Sequence, residues 1–122
     1  MTTYSRSIQL AHQIWPKLII LAERRATITY KELGEPFGIT GQALQNFDRI
    51  LAPIKYYCLR NNLPMLSALV VRKDSGLPGS GAEADDTDIA AVFAYNWRSR
   101  SPLIPSAAEL TAAMTTADNE TS

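Results

Sequence analysis

Two short runs of sequence decide the fold: Thr29-Tyr30-Lys31-Glu32 and, shortly after it, Thr40-Gly41-Gln42-Ala43-Leu44-Gln45-Asn46. The first is a capping box, in which the Thr29 hydroxyl accepts the N–H of Glu32 and the Glu32 carboxylate accepts the N–H of Thr29. It predicts a short helix over residues 30–37 that ends at Gly38, because glycine adopts a positive φ at little cost. Thr40 is a good N-cap for a second helix. Two helices joined by a tight turn that contains glycine predict a helix-turn-helix.

The second helix of this motif carries polar side chains on its outer face. Its apolar positions, from Leu44 to Leu51, follow helical spacing and predict an inward stripe. The side chains left on the outside are Gln42, Gln45, Asn46 and Arg49. Gln and Asn can bond to an adenine edge in the major groove, and Arg to guanine or phosphate. A solvated polar face, which every surface helix has, is the alternative that the pattern leaves open.

Helices are also predicted on both sides of this motif. Residues 5–25 carry apolar side chains at spacings of three and four, which indicates a long amphipathic helix. Pro16 lies inside it, and because the stripe stays in phase we favour one kinked helix over two. Pro53 is expected to end the second helix of the motif and to start another over residues 53–61.

The best strand in the chain is the apolar run 67–72, and residues 27–29 suit a short strand. If these two strands pair and a basic turn follows at Arg72 and Lys73, the motif becomes a winged helix-turn-helix. The sequence therefore predicts a mostly α fold with a small β element (α+β). We expect a single domain over residues 1–114 with a winged helix-turn-helix-like core at 27–81.

The C-terminal third is predicted to be helical and then unstructured. Residues 89–97 carry a helical stripe, and Ser106 begins a capping box that opens a helix to about Met114. From residue 115 to 122 no apolar face remains, so we expect a disordered tail.

Length and composition limit the classes of protein to which the chain can belong. The chain has 122 residues and a mass of 13.4 kDa, which suits one domain. It has no apolar run near the ~20 residues of a membrane span and no signal-peptide pattern at its start. Cys58 is the only cysteine, which favours a reducing compartment. We therefore expect a cytoplasmic protein without a membrane partner.

Charge is unevenly divided along the chain although its net value is zero. Residues 1–73 hold ten Lys or Arg against four acids, a net +6, whereas residues 74–122 hold two against eight, a net −6. This asymmetry indicates an anionic partner for the first half, or two halves that face each other. Ordinary scatter of charges, exaggerated by the choice of boundary, explains it equally well.

Catalytic and metal-binding patterns are weak. Cys58 lies among inward-facing positions and is predicted to be a buried hydrophobe, and His12 is the sole histidine. The acids Glu83, Asp85, Asp86 and Asp88 could hold a divalent cation, but they miss the calcium-loop spacing. Acids before a helix stabilise its N-terminus, which is the interpretation we favour. We predict no enzyme activity, no metal and no cofactor.

The order of these motifs resembles the C-terminal DNA-binding domain of O6-alkylguanine-DNA alkyltransferases and of alkyltransferase-like proteins. The resemblance covers residues 27–81 and rests on Ile28-Thr29-Tyr30-Lys31-Glu32-Leu33, Gly38, Pro53 and the run from Leu69 to Gly76. It implies a similar DNA-docking surface, with Tyr30 and the helix of Gln42 near the backbone and bases.

The same resemblance implies that alkyl transfer is absent. The chain has Ser67-Ala68-Leu69 where the family carries Cys-His-Arg, so the alkyl-accepting thiolate and its histidine are missing. Gln42 stands where the family has an intercalating arginine, and Cys58 lies too early in the chain to substitute for the family's cysteine.

The sequence therefore predicts a small, non-enzymatic DNA-binding protein, weak alone and acting as a homodimer or beside a protein partner. The predicted DNA-binding residues are Tyr30, Lys31, Gln42, Gln45, Asn46, Arg49, Lys55, Arg72 and Lys73. Five phosphate contacts would give a slope of log K against log salt of about −4 to −5. The alternative is a protein-interaction or inhibitor module, of phage or mobile-element type, that docks through its acidic C-terminal half.

Overall fold

A computed structural model describes residues 5–73, 76, 86–100 and 103–121 of the chain. Within these ranges the side chains of Ala43, Gln45, Asn46 and residues 115–121 stay outside the description. The helices are α1 (Arg6–Glu23), α2 (Tyr30–Gly34), α3 (Phe47–Arg60), α4 (Asp86–Ala94) and α5 (Ala107–Thr121). The strands are β1 (Ile28–Thr29) and β2 (Val70–Val71), and 3₁₀ helices lie at Glu35–Phe37, Gly41–Asn46, Leu66–Leu69 and Trp97–Ser99. The fold is mostly helical with a small sheet, as predicted.

Helix α1 is one continuous helix, which confirms the prediction of a single element through Pro16. The Ser5 hydroxyl caps its first turn by accepting the N–H of Ile8 at 3.3 Å. The predicted apolar stripe is buried along the helix, and His12 is exposed at its edge. After Glu23 the chain turns through Arg25, whose φ of 53° lies in the left-handed region.

The core forms where α1, α3 and α5 pack against one another, with Trp15 at its centre. The Trp15 ring meets Tyr57 of α3 edge-on at a centroid distance of 5.5 Å and Trp97 at 6.2 Å. Its indole N–H donates to the carbonyl of Leu103 at 3.0 Å. Because a buried indole N–H needs an acceptor, this bond fixes the segment before α5 against α1.

The segment after α4 is held by similar contacts. The buried Trp97 indole donates to the carbonyl of Val92 at 2.9 Å and packs edge-on against Tyr95. Arg100 donates to the Tyr57 hydroxyl at 3.0 Å, and its guanidinium lies 5.4 Å from the centre of that ring. Arg98 forms a paired hydrogen bond with Glu23 at the exposed end of α1.

The predicted pairing of the two strands is confirmed: β1 and β2 are parallel, with Ile28 opposite Val70 and Thr29 opposite Val71. The predicted strand 67–72 is wrong over its first half, where Leu66–Leu69 is a buried 3₁₀ helix. A short apolar run that is buried on all sides has no periodicity to separate strand from helix. The predicted wing would follow Lys73, and residues 74–75 and 77–85 lie outside the described part.

Helix α3 corrects two predictions. It runs unbroken through Pro53, which the sequence predicts to be a break. Proline removes one backbone donor and strains the preceding turn, but Pro53 is buried between packed helices that hold α3 together. The helix also begins at Phe47 rather than at Gly41, because Gly41 has a φ of 60° and the Thr40 side chain makes no capping bond.

Helix α5 begins at the predicted capping box. The N–H of Glu109 donates to the Ser106 hydroxyl at 3.1 Å, and the N–H of Ser106 donates to the Glu109 carboxylate at 3.2 Å. The helix continues to Thr121, so the predicted end near Met114 is wrong. Where the apolar face of a helix ends, the helix loses its tertiary support, but its backbone hydrogen bonds can still form. The mobility of the tail stays a prediction.

Ser67 provides a test of the packing under the sheet. Its hydroxyl is buried and has no hydrogen-bond partner among the described residues. A buried hydroxyl without a partner costs free energy, so Ser67→Ala should raise the free energy of unfolding by about 1 kcal/mol. Urea denaturation measures it. Ser106→Ala is the control of opposite sign, because it removes a capping hydroxyl and should cost about 1 kcal/mol. Destabilisation by Ser67→Ala would contradict the expected result.

Candidate nucleic-acid interface

An open groove of about 850 Å³ lies where the sheet, α2 and the 3₁₀ helix Gly41–Asn46 meet. We call it the sheet-end groove. Its lining residues are Thr29, Tyr30, Lys31, Glu32, Glu35, Leu44, Val71, Arg72 and Lys73. The groove contains cations, carboxylates and an apolar floor, and it is open to solvent on one side.

The parallel pairing of β1 and β2 places the charged side chains in this groove. Parallel strands end at the same edge of their sheet, so the residues after Thr29 and after Val71 emerge side by side. The chain after β1 turns directly into α2, which carries Lys31. The chain after β2 continues into Arg72 and Lys73, and all three cations are exposed.

The capping box holds the N-terminus of α2 against the sheet. The N–H of Glu32 donates to the Thr29 hydroxyl at 3.1 Å. The Glu32 carboxylate accepts the N–H of Thr29 at 3.2 Å and its hydroxyl at 2.9 Å. The capping box predicted from the sequence is confirmed, and it orients the first turn of α2 beside β2.

Gly34 allows the segment 39–47, which includes the groove residue Leu44, to lie close to α2. A Cβ atom at Gly34 would lie 2.6 Å from the carbonyl oxygen of Ile39 and 2.9 Å from the Phe47 ring. Gly38, with a φ of 75°, reverses the chain between them, and the N–H of Ile39 donates to the Gly34 carbonyl at 3.0 Å. The Tyr30 ring then packs edge-on against Phe47 at 5.7 Å. Only a glycine at position 34 permits this packing.

Among the residues that the structure describes, the groove lining holds three cations and two carboxylates, Glu32 and Glu35. The hydrogen bonds from the Thr29 hydroxyl and N–H lower the pKa of Glu32, and the charge of Lys73 lowers it further. Glu32 is therefore held as a carboxylate by its own helix. The surplus of positive charge is one, which suits a weak attraction for an anion.

Four of the predicted DNA-binding residues lie together in this groove: Tyr30, Lys31, Arg72 and Lys73. Gln42 is exposed on the 3₁₀ helix that borders the groove through Leu44. Gln45 and Asn46 lie on the same 3₁₀ helix, and their side chains stay outside the description.

The structure places Arg49 and Lys55 outside the described lining of this groove, so the five cations predicted to contact phosphate do not all lie in it. Arg49 lines a second groove against α1 and α5, and the Lys55 ammonium lies 5.3 Å from the centre of the Tyr56 ring. The two positions are six residues apart on α3, which puts them about 120° apart around a helix. Sequence spacing alone does not show which of these faces neighbouring helices cover.

Helix α3 begins after Gln42, Gln45 and Asn46, which the sequence places on the outer face of the second helix of the motif. It packs against α1 on one side and α5 on another, and its buried residues extend from Phe47 to Cys58. The outward-facing polar residues predicted for its start belong to the 3₁₀ helix before it. In the described part of the chain, the 3₁₀ helix Gly41–Asn46 and α2 therefore carry the polar surface that the sequence predicts on the second helix of the motif.

Sequence reasoning missed Glu35, Leu44 and Val71 as lining residues. Glu35 lies four residues after Lys31, a spacing that places two side chains on one helical face and could have identified it. Leu44 was expected to face inward and is half-buried at the groove floor. Val71 could not be assigned to the groove before the register of the two strands was known.

Cys58 is buried, and the described residues include no cluster of His, Cys, Asp or Glu that could hold a metal ion. Burial raises the pKa of Cys58 to about 12, so its thiol stays protonated, as expected of a packing residue. Within the described ranges no three His, Cys, Asp or Glu side chains converge. Asp86 and Asp88 occupy the first turn of α4, where acids favour the helix dipole, whereas Glu83 and Asp85 lie outside the description. None of the described helices is both long and apolar enough to span a bilayer.

Gly34 and Gly38 should respond differently to substitution. Gly34→Ala forces a Cβ into the Ile39 carbonyl and should lower the free energy of unfolding by more than about 2 kcal/mol. Gly38→Ala meets open space but keeps a positive φ, so about 1 kcal/mol should be lost. Urea denaturation of both variants measures the difference, and equal losses would contradict the close approach at Gly34.

Glu32 should make stability depend on pH. Because its pKa is lowered in the folded state, its contribution is present above the unfolded value of 4.5 and is lost as pH falls through the folded value. The urea midpoint of Glu32→Gln should therefore lie below that of the original chain at neutral pH, and the gap should close as pH falls below 4.5. In a Thr29→Ala background the gap should be smaller. A gap that widens in acid would refute this account.

Comparisons with protein-family models, with curated proteins and with solved structures give no match for this chain. The resemblance to the DNA-binding domain of alkyltransferase-like proteins therefore stays a prediction. Function has to be argued from the geometry and charge of the site itself. The site that gathers the predicted residues is the sheet-end groove.

Proposed function

We propose that the chain is a small, non-enzymatic DNA-binding protein that holds a duplex backbone in the sheet-end groove. The observation that supports the proposal is the convergence of Tyr30, Lys31, Arg72 and Lys73 in one open groove. These residues come from two distant parts of the sequence, and their meeting depends on the parallel pairing of β1 and β2.

The three cations are suited to phosphate contacts. Three exposed cations surround the groove: Lys31, Arg72 and Lys73. Because they lie in solvent in the free protein, they can reach a ligand there. Arg presents a planar fork that matches phosphate oxygens, and Lys presents a compact point charge. Such contacts supply affinity and orientation but carry no sequence information. Tyr30 adds a half-buried phenol beside them.

Base contacts are assigned to the 3₁₀ helix that borders the groove. Gln42 is exposed on this helix, and Gln45 and Asn46 follow on its last turn. Gln and Asn read adenine through paired hydrogen bonds. In this arrangement α2, the turn at Gly38 and the 3₁₀ helix act as the helix-turn-helix.

The two carboxylates in the groove limit the affinity. Glu32 is engaged by Thr29, but its charge and that of Glu35 still repel phosphate. With a surplus of one positive charge, a single chain binds duplex weakly, and a homodimer or a protein partner that doubles the contacts increases the affinity.

Salt dependence is the first test. Three phosphate contacts give a slope of log K against log salt of about −2.7, so affinity should fall about fortyfold between ~50 and ~200 mM salt. Fluorescence anisotropy of a labelled random-sequence duplex measures it. The value is smaller than the slope expected from five contacts, because Arg49 and Lys55 lie elsewhere.

Matched variants distinguish binding in the sheet-end groove from attraction that follows net charge alone. The triple variant Lys31→Gln, Arg72→Gln and Lys73→Gln should abolish binding. A control with the same change in net charge, Arg6→Gln, Lys17→Gln and Arg24→Gln, removes three cations of and beside α1 and should lose little. Equal losses in the two variants would mean that binding follows net charge alone, and no binding at ~50 mM salt would refute the proposal for the isolated chain.

The rival prediction, docking through the acidic half, can be tested at Asp86 and Asp88, two of its described carboxylates. Asp86→Asn with Asp88→Asn should leave duplex binding unchanged. If those changes instead abolish capture of a protein partner while the groove variant has no effect, the protein-interaction prediction replaces the DNA proposal.

A further inference from the structure

A second groove, of about 390 Å³, lies between the start of α1, the middle of α3 and α5. We call it the Arg49 groove. Its lining residues are Ser5, Ser7, Ile8, Arg49, Ala52, Pro53, Thr111 and Met114. None of them lines the sheet-end groove, so the two sites are independent.

Among the described lining residues, Arg49 is the one charged side chain, and the others are apolar or carry a hydroxyl. Arg49 is exposed, and none of the lining residues that the structure describes is an acid that could neutralise its guanidinium. Ile8 and Pro53 are buried at the base, and Met114 contributes a half-buried thioether side chain from α5. Apolar walls with a single cation are the composition of a site for an amphipathic anion.

Pro53 adds a polar feature to the wall of this groove. Within α3 the carbonyl of Arg49 would normally accept the N–H of the residue four positions on, which is Pro53 and has no N–H. The helix therefore carries a backbone acceptor without its usual donor at the residue that also supplies the cation. A helix interior tolerates proline only where packing compensates, and here the proline ring forms part of the groove.

The size and the single cation define the ligand class. Small-molecule sites span roughly 300 to 1,000 Å³, so the volume of this groove suits a compact ligand. The single charge of one guanidinium balances that of a carboxylate, with which it pairs in a planar fork, whereas a phosphate carries a charge of about −1.5 to −2. We propose that the Arg49 groove binds a small amphipathic carboxylate, with its apolar body on Ile8, Pro53 and Met114.

Methionine methyl NMR tests the site directly. The chain has three methionines, and Met114 lies in the groove whereas Met65 lies before the sheet. Titration of octanoate into protein labelled with 13C at the methionine methyls should shift the Met114 signal, assigned with Met114→Leu, and leave Met65 in place. Octanol, which has the same apolar body without the charge, should bind roughly tenfold more weakly.

A matched pair of arginine variants tests the role of the cation. Arg49→Gln should weaken octanoate roughly tenfold and leave octanol unchanged. Arg24→Gln, an exposed arginine just after α1, should change neither. Both substitutions are at exposed positions, and circular dichroism checks that the variants fold.

Three results would overturn the proposal: no saturable shift of Met114 up to about 5 mM octanoate, equal affinities for octanoate and octanol, or unchanged octanoate affinity in Arg49→Gln. Because the readout involves no nucleic acid, failure here leaves the DNA proposal standing. Failure of duplex binding likewise leaves this site untouched.

Discussion

The structure depends on the burial of Trp15. This side chain is fully buried, meets Tyr57 and Trp97 edge-on, and donates its N–H to Leu103. Edge-on aromatic pairs contribute about 0.5 to 1.5 kcal/mol each beyond their buried area. One residue of α1 therefore anchors α3, the segment after α4 and the segment before α5. A chain with so short a sheet has few other long-range backbone links, so helix packing around this ring organises the fold.

The two prolines inside helices show how packing overrides local preference. Pro16 and Pro53 each remove a backbone hydrogen bond, at a cost of about 3 kcal/mol in an isolated helix. Pro16 follows Trp15 directly, and Pro53 is buried between α3 and its neighbours. Burial of the apolar faces of α1 and α3 offsets this cost, so both helices continue. The Arg49 carbonyl loses its usual helical donor at Pro53, and Arg49 and Pro53 both line a groove.

Both candidate sites lie at the edge of this core and are built differently. The sheet-end groove uses side chains that follow two parallel strands, a capping box and the close approach at Gly34. The Arg49 groove uses the space between three helices, α1, α3 and α5. The first combines opposite charges around an open floor, whereas the second has one cation against apolar walls. These differences in charge are the reason for assigning a polyanion to one and a small carboxylate to the other.

Local chemistry determined much of the structure by itself. The capping boxes at Thr29 and Ser106, the turn at Gly38 and the buried stripe of α1 follow from hydrogen bonding and periodicity within a few residues, and all are confirmed. Tyr30 and Lys31 meet Arg72 and Lys73 because β1 and β2 pair in parallel. The sequence suggested that these two strands pair, but not in which direction. The start of α3, its continuity through Pro53 and the separation of Arg49 from the other cations were decided only by tertiary structure. The physical reason is that these features depend on which faces neighbouring helices cover, and that information is distributed over residues far apart in the chain.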